Sequence, residues 1–194
     1  MATFFESIRA GDVDTVRSAL RDDPSAASAR DDNGLSALRA ALYGQHPDVA
    51  DVIIEAGPTL DVFDAAAAGD VERLTELLNG DADLVGVFSE DGYTPLHFAA
   101  FFDRGKAVRL LLDRGADVAA VSRNDMKVQP LHSAVAANSM EVVAALLVAG
   151  ADPNARQEGG FTPLMGAEKE DPEGDMARLL KDHGAEESAS APTE

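Results

Sequence analysis

The feature that most constrains this chain is a four-residue string that returns at a nearly fixed interval. Thr94-Pro95-Leu96-His97 recurs thirty-five residues later as Gln129-Pro130-Leu131-His132, and thirty-three after that as Thr162-Pro163-Leu164-Met165. Each copy leads into an alanine-rich segment, a polar break and a leucine-rich segment. That last segment closes at Gly115-Ala116-Asp117, Gly150-Ala151-Asp152 and Gly184-Ala185. The N-terminal half carries the same order more faintly. Ala10-Gly11-Asp12-Val13 matches Ala68-Gly69-Asp70-Val71 at an offset of fifty-eight, and the same offset lays Ser36-Ala37-Leu38-Arg39 on Thr94-Pro95-Leu96-His97. A register held over so many positions predicts a stack of like units, because one such unit cannot bury its apolar face alone.

The chemistry of one unit is readable from its residues. Threonine or serine supplies a helix N-cap, and proline suits the first helical position. Leu96 and Ala99-Ala100 then lie on a short inner helix. Val108 with Leu110-Leu111-Leu112 forms the apolar stripe of a second, outer helix. Gly115 falls where a left-handed C-cap is wanted, and Asp91-Gly92 signals a tight turn. The small inner alanines let neighbouring helix pairs approach closely.

With this signature and a spacing near thirty-three residues, the chain resembles the ankyrin-repeat family. The match is strongest over 94–127 and 128–160. It implies an all-α solenoid of stacked helix-turn-helix units with projecting β-hairpin loops. One domain over 1–186 divides into units at 3–34, 35–59, 60–92, 93–127, 128–160 and 161–185, and 187–194 is expected to be a flexible acidic tail. Three departures stand out. The connection Gly57-Pro58-Thr59-Leu60-Asp61 lacks the usual long finger, which should leave a gap in the row of loops. The linker Val121–Val128 is two residues longer than the next one. Lys169-Glu170-Asp171-Pro172-Glu173-Gly174 should break the last inner helix and form a polar cap. Phe4 or Phe5 is expected to anchor the first helix.

Composition narrows the function. There are 35 acidic against 16 basic residues, a net charge of -19 and no cysteine. The acidity argues against a nucleic-acid backbone as partner, which wants a basic patch. It fits either a salty cytoplasm or an ordinary acidic cytosolic protein. The missing cysteine removes disulfide scaffolds, thiol nucleophiles and thiolate zinc sites. No stretch is apolar enough for a membrane span, and the N-terminus lacks signal-peptide features. The expected compartment is the cytoplasm and the expected state a monomer.

No motif carries catalysis. His97 and His132 belong to the repeat string, where the ring should bond turn backbone and the cap residue. Stacking sets their units roughly 10 Å apart, too far for one zinc ion. His46 sits in a turn, and His183 suits a helix C-terminus. The paired aspartates fall in loops and match no calcium loop. Serines lack a nucleophile elbow, and no phosphate or dinucleotide fingerprint exists. No enzyme activity, cofactor or metal is expected.

A binding surface is expected instead. The resemblance implies that partners meet hairpin tips and the exposed side of the inner helices, which together form a concave groove. Aromatic residues make up only 5% of the chain, yet Phe88, Tyr93, Phe98, Phe101 and Phe102 fall within fifteen residues. Adjacent Phe101 and Phe102 cannot both face one buried seam. Phe98, Phe101 and Phe102 are assigned to the inner-helix surface, with Ser133, Ala136 and Ala137 in the next unit. Arg30, Phe88, Val121 and Arg156 are assigned to the tips, and Arg123, Met126 and Lys127 flank them. Basic residues there stand out on so acidic a chain. The expected function is a non-enzymatic protein- or peptide-binding module whose partner is basic or mixed in charge. The alternative is an acidic inhibitor or antitoxin-like protein that masks a basic site.

Overall fold

Each repeat string starts a helix in the computed structural model, which describes residues 3–187. All of the expected tail but Glu187 lies outside the described residues. Thr94 sits in extended backbone and its hydroxyl accepts from the His97 amide, with Pro95 in the first turn. Twelve α-helices follow in six pairs among the described residues. They are α1 (Phe4–Arg9) with α2 (Val13–Asp22), α3 (Ala37–Tyr43) with α4 (Pro47–Glu55), α5 (Val62–Ala68) with α6 (Val71–Gly80), α7 (Pro95–Phe101) with α8 (Gly105–Asp113), α9 (Pro130–Ala136) with α10 (Met140–Val148), and α11 (Pro163–Glu170) with α12 (Asp175–Asp182). The inner helices pack in an unbroken row from α1 through α3, α5, α7 and α9 to α11. In the outer row α2 packs on α4, and α6 on α8 on α10.

Small residues set the inner seam. Ala65, Ala66, Ala67, Ala99, Ala100 and Ala134 are fully buried, so helix backbones meet closely. The outer helices turn Leu74, Leu111, Leu146 and Leu180 into the same core. Each such leucine contributes about 1.5–3 kcal/mol over an exposed one. Phe4 and Phe5 pack against the first unit's core. Gly115 takes φ 86 at the end of α8. Its amide donates to the Leu112 carbonyl, and the Ala116 amide donates to Leu111, closing the orphan carbonyls. The first and third units end differently. There α2 and α6 run on into 3₁₀ turns, Pro24–Ser28 and Ala82–Gly86, capped by Asp23 and Asp81. The last inner helix also differs from expectation. Lys169 and Glu170 stay helical, and the break falls at Asp171, whose backbone is extended.

The projecting loops are tight turns that carry no β-strand among the described residues. Among the described residues the one bridge pairs Arg30 with Ser36. The loops are too short for a ladder: the Asp31 amide donates to the Leu35 carbonyl and the Ser89 amide to Tyr93, and the chain then turns into the helix. They knit to one another instead. The Arg123 amide donates to the Gly92 carbonyl at 2.8 Å, and the Glu158 amide to Met126 at 2.9 Å. Gly92 is required twice over. Its φ is 83°, and a Cβ there would stand 2.9 Å from the backbone of Arg123 and Asn124.

The gap expected after Gly57 is bridged. In the later units the histidine of the string spans to the next loop: His97 Nε2 meets the Val128 carbonyl at 3.1 Å, and His132 Nε2 meets Phe161 at 3.4 Å. Arg39 holds that histidine position in the second unit. Asp64 holds it in the third, three residues after the N-cap Asp61. With no loop between them, Arg39 Nε donates to Asp64 at 2.9 Å. The Ser36 hydroxyl donates to the same carboxylate at 2.6 Å, and Arg30 at 3.1 Å. Burial and the neighbouring Asp61 push the Asp64 carboxyl up, and the Ser36 hydroxyl and the two guanidiniums oppose this. Glu90 of the following loop lies against Gly34, so the loops on either side of the missing finger are neighbours.

Candidate functional site

A concave groove of about 1150 Å³ runs along the inner helices from Tyr43 on α3 to Met176 on α12. Its wall is formed by the loop residues Met126, Gln157 and Phe161. Eight large apolar side chains stand exposed among the described residues, and five of them line this groove: Tyr43, Phe101, Met126, Met140 and Phe161. Val148, Ile54 and Val121 lie elsewhere.

The groove's aromatic end follows from helix geometry. Phe101 is the last residue of α7 and is 41% exposed. The next residue is rotated about 100° around the axis, so Phe102 turns inward and is half-buried against the core. Tyr43 ends α3 at the corresponding place. Its ring centroid lies 5.9 Å from Phe101 and 5.2 Å from Phe102. The corresponding residue of the intervening α5 is Ala68, whose small side chain leaves room for the rings to meet. Burial and the nearby Asp91 carboxylate push the Tyr43 hydroxyl well up, so it stays protonated. The Tyr93 hydroxyl donates to Met126 Sδ at 3.5 Å and holds that side chain at the wall.

Two buried histidines support the floor. His97 Nδ1 accepts from the Thr94 amide at 3.3 Å, so Nε2 carries the proton and donates to Val128. Burial pushes His97 down to about 4 and lowers His132 as well. Both rings are neutral struts near pH 7, as the string suggests. His46 Nε2 meets the Arg9 carbonyl at 3.0 Å, and His183 Nδ1 donates to Leu179 at 2.9 Å. Among the described residues no three histidine, aspartate or glutamate side chains are grouped to hold a metal ion. No helix among them is long and apolar enough to cross a membrane.

The structure divides the nine residues singled out by sequence. Phe101 and Met126 are exposed in the groove. Phe98 lines the groove floor but is corrected as an exposed residue: it is 2% exposed and packs between Tyr93 and Phe63, with the Arg39 guanidinium carbon 5.1 Å from its ring centroid. Ser133, at the matching place on α9, is buried too. Phe102 caps α7 and is half-buried beside Phe101, and Phe88, Val121, Arg123, Lys127 and Arg156 sit on the loops outside the groove lining. Arg123 stacks over Phe88 at 3.8 Å. Arg156 donates to the Gly160 carbonyl of its own loop at 3.2 Å, as Arg30 does to Gly34 at 3.0 Å. Val121 and Lys127 are exposed. Tyr43, Met140 and Phe161 were missed. The fifty-eight-residue offset already places Tyr43 on Phe101, and Phe161 precedes Thr162 as Tyr93 precedes Thr94.

The ankyrin-repeat model matches residues 91–123 and 129–158. The Neurogenic locus Notch protein of Drosophila melanogaster is 42% identical over 93 residues, covering 47% of this chain and 3% of Notch. Palmitoyltransferase Hip14 of Drosophila melanogaster is 34% identical over 122 residues, 63% of this chain and 19% of Hip14. A putative ankyrin repeat protein of Fowlpox virus is 28% identical over 166 residues, 80% of this chain and 37% of its own length. The chain thus spans well under half the length of each of these relatives.

Proposed function

This is an ankyrin-repeat protein, and on that premise we propose that it is a non-enzymatic binding module that seats a protein or peptide in its concave groove. One observation carries the reading: the exposed large apolar side chains gather in that groove. Isolated exposed apolar residues are ordinary, but a contiguous set with aromatic members marks a contact surface. Two buried histidines and the loop-to-loop bonds hold the walls in place, so little ordering is left for the moment of binding. Phe102 belongs to the support of the surface, because half of it is already packed. An inhibitor that imitates a nucleic acid would line the groove with carboxylates. Three acidic residues line it, all at one end, so the apolar reading is favoured.

The test uses the binding partner captured by the wild-type chain. Phe101→Glu and Met126→Glu should each abolish capture and leave the melting temperature within about 2 °C. Val148→Glu, on the 82% exposed outer face, should leave capture intact. Equal capture by all four proteins would refute the groove.

A further inference from the structure

We propose that the groove has a polarity and takes an amphipathic segment: apolar side chains over Tyr43, Phe101 and Met126, and lysine or arginine side chains at the far end, against Glu170, Asp171 and Asp175. The inference rests on the groove being the binding surface.

The volume speaks first. A cavity of about 1150 Å³ exceeds the roughly 300–1,000 Å³ of small-molecule pockets and suits a length of chain. Charge then assigns the ends. Among the lining residues Lys169 is the one lysine or arginine, against three acids clustered at the α11–α12 end. Glu170 and Asp171 have no ion-pair partner among the described residues, Asp171 accepts the Glu173 amide at 3.3 Å, and Asp175 meets Arg178 in an exposed pair. The next cation along, Lys181, is taken by Glu168 at 2.9 Å and Glu187 at 3.2 Å. The carboxylates at this end are therefore available, and the net charge of -19 repels anionic segments from the whole surface.

Spacing makes the proposal specific. Phe101 lies on the fourth inner helix and Glu170 on the sixth. Two stacking steps of roughly 10 Å separate them, and an extended chain crosses about 20 Å in about six residues. The occupant should carry its cations about six residues from its apolar anchor.

The experiment is selection of displayed random 12-residue peptides on the immobilised full chain, followed by fluorescence polarisation with the enriched peptides. The expected result is sequences with an apolar pair and at least two lysines or arginines about six residues away. Glu170→Lys with Asp171→Lys should weaken them tenfold or more, and Phe101→Glu or Met126→Glu should abolish binding. Enriched peptides that need Phe101 and Met126 but carry no cations, or ignore the charge reversal, would overturn the polarity and leave the groove standing. Peptides indifferent to Phe101→Glu and Met126→Glu, or no enrichment at all, would overturn both.

Discussion

Replacing Asp64 with alanine should cost this protein more than any surface substitution. The Asp64 side chain is 3% exposed and that of Arg39 is 5% exposed, so the pair is dry. Without Asp64 the nearest carboxylate to the Arg39 guanidinium is Asp91, at 4.0 Å. The rings of Phe98 and Phe63, 5.1 and 5.9 Å away, remain as weaker partners. The Ser36 hydroxyl also loses its acceptor. An uncompensated buried charge of this kind costs about 3–5 kcal/mol. In a domain of this size each kcal/mol lowers the melting temperature by about 2–4 °C, so a drop on the order of 10 °C is expected. Urea denaturation followed by circular dichroism supplies the free energy. The double variant Arg39→Leu with Asp64→Ala should recover at least half of the loss, because apolar residues can replace a buried pair at little cost. A single variant within about 1 kcal/mol of wild type, or a double variant worse than the single, would refute the view that this pair replaces the missing loop.

Gln129 caps α9 where the matching units use threonine, and its Oε1 is buried with no hydrogen-bond partner; Gln129→Thr should stabilise by about 1 kcal/mol in the same urea assay. Gly92→Ala should destabilise by about 2 kcal/mol or more, since the new Cβ meets backbone at 2.9 Å at a left-handed φ, and amide exchange should quicken around Arg123. His97 is pushed down to about 4 in the folded chain, so the unfolded chain takes its proton first on acidification. Its contribution is full above about pH 6.5, falls through the window to about 4, and totals about 3 kcal/mol. Imidazole NMR should find His97 still neutral at pH 5.5, and a ring already charged there would contradict the assignment.

The helices were legible because their ends are written in residue types. Thr94, Pro95 and Gly115 each do what their chemistry demands, and the leucine stripe of α8 has one face to bury. The Arg39–Asp64 pair was not legible. Its two residues stand at one repeat position, but Asp61-Val62-Phe63-Asp64 carries no proline, leucine or histidine to reveal that register. Phe98 was misplaced because aromatic clustering says nothing about orientation. Its repeat equivalent Ser133 is small and polar, which masked the fact that both positions are buried. Phe161 lies on a loop, where no periodicity reports exposure. Tyr43 needed one step more than the sequence reading took: the offset places it on Phe101, but only the stacked helices show that Ala68 lets the two rings meet.

The chain has five methionines; four line the groove, and three of these, Met126, Met140 and Met165, are at least partly exposed, while Met176 is buried. Methyl-labelled methionine NMR, titrated with the tightest peptide from the selection, therefore reads the binding surface directly. Occupation of the groove predicts that the signals of these three methyl groups move together and saturate with the affinity measured by polarisation. Three unmoved methyl signals at saturating peptide would contradict the account.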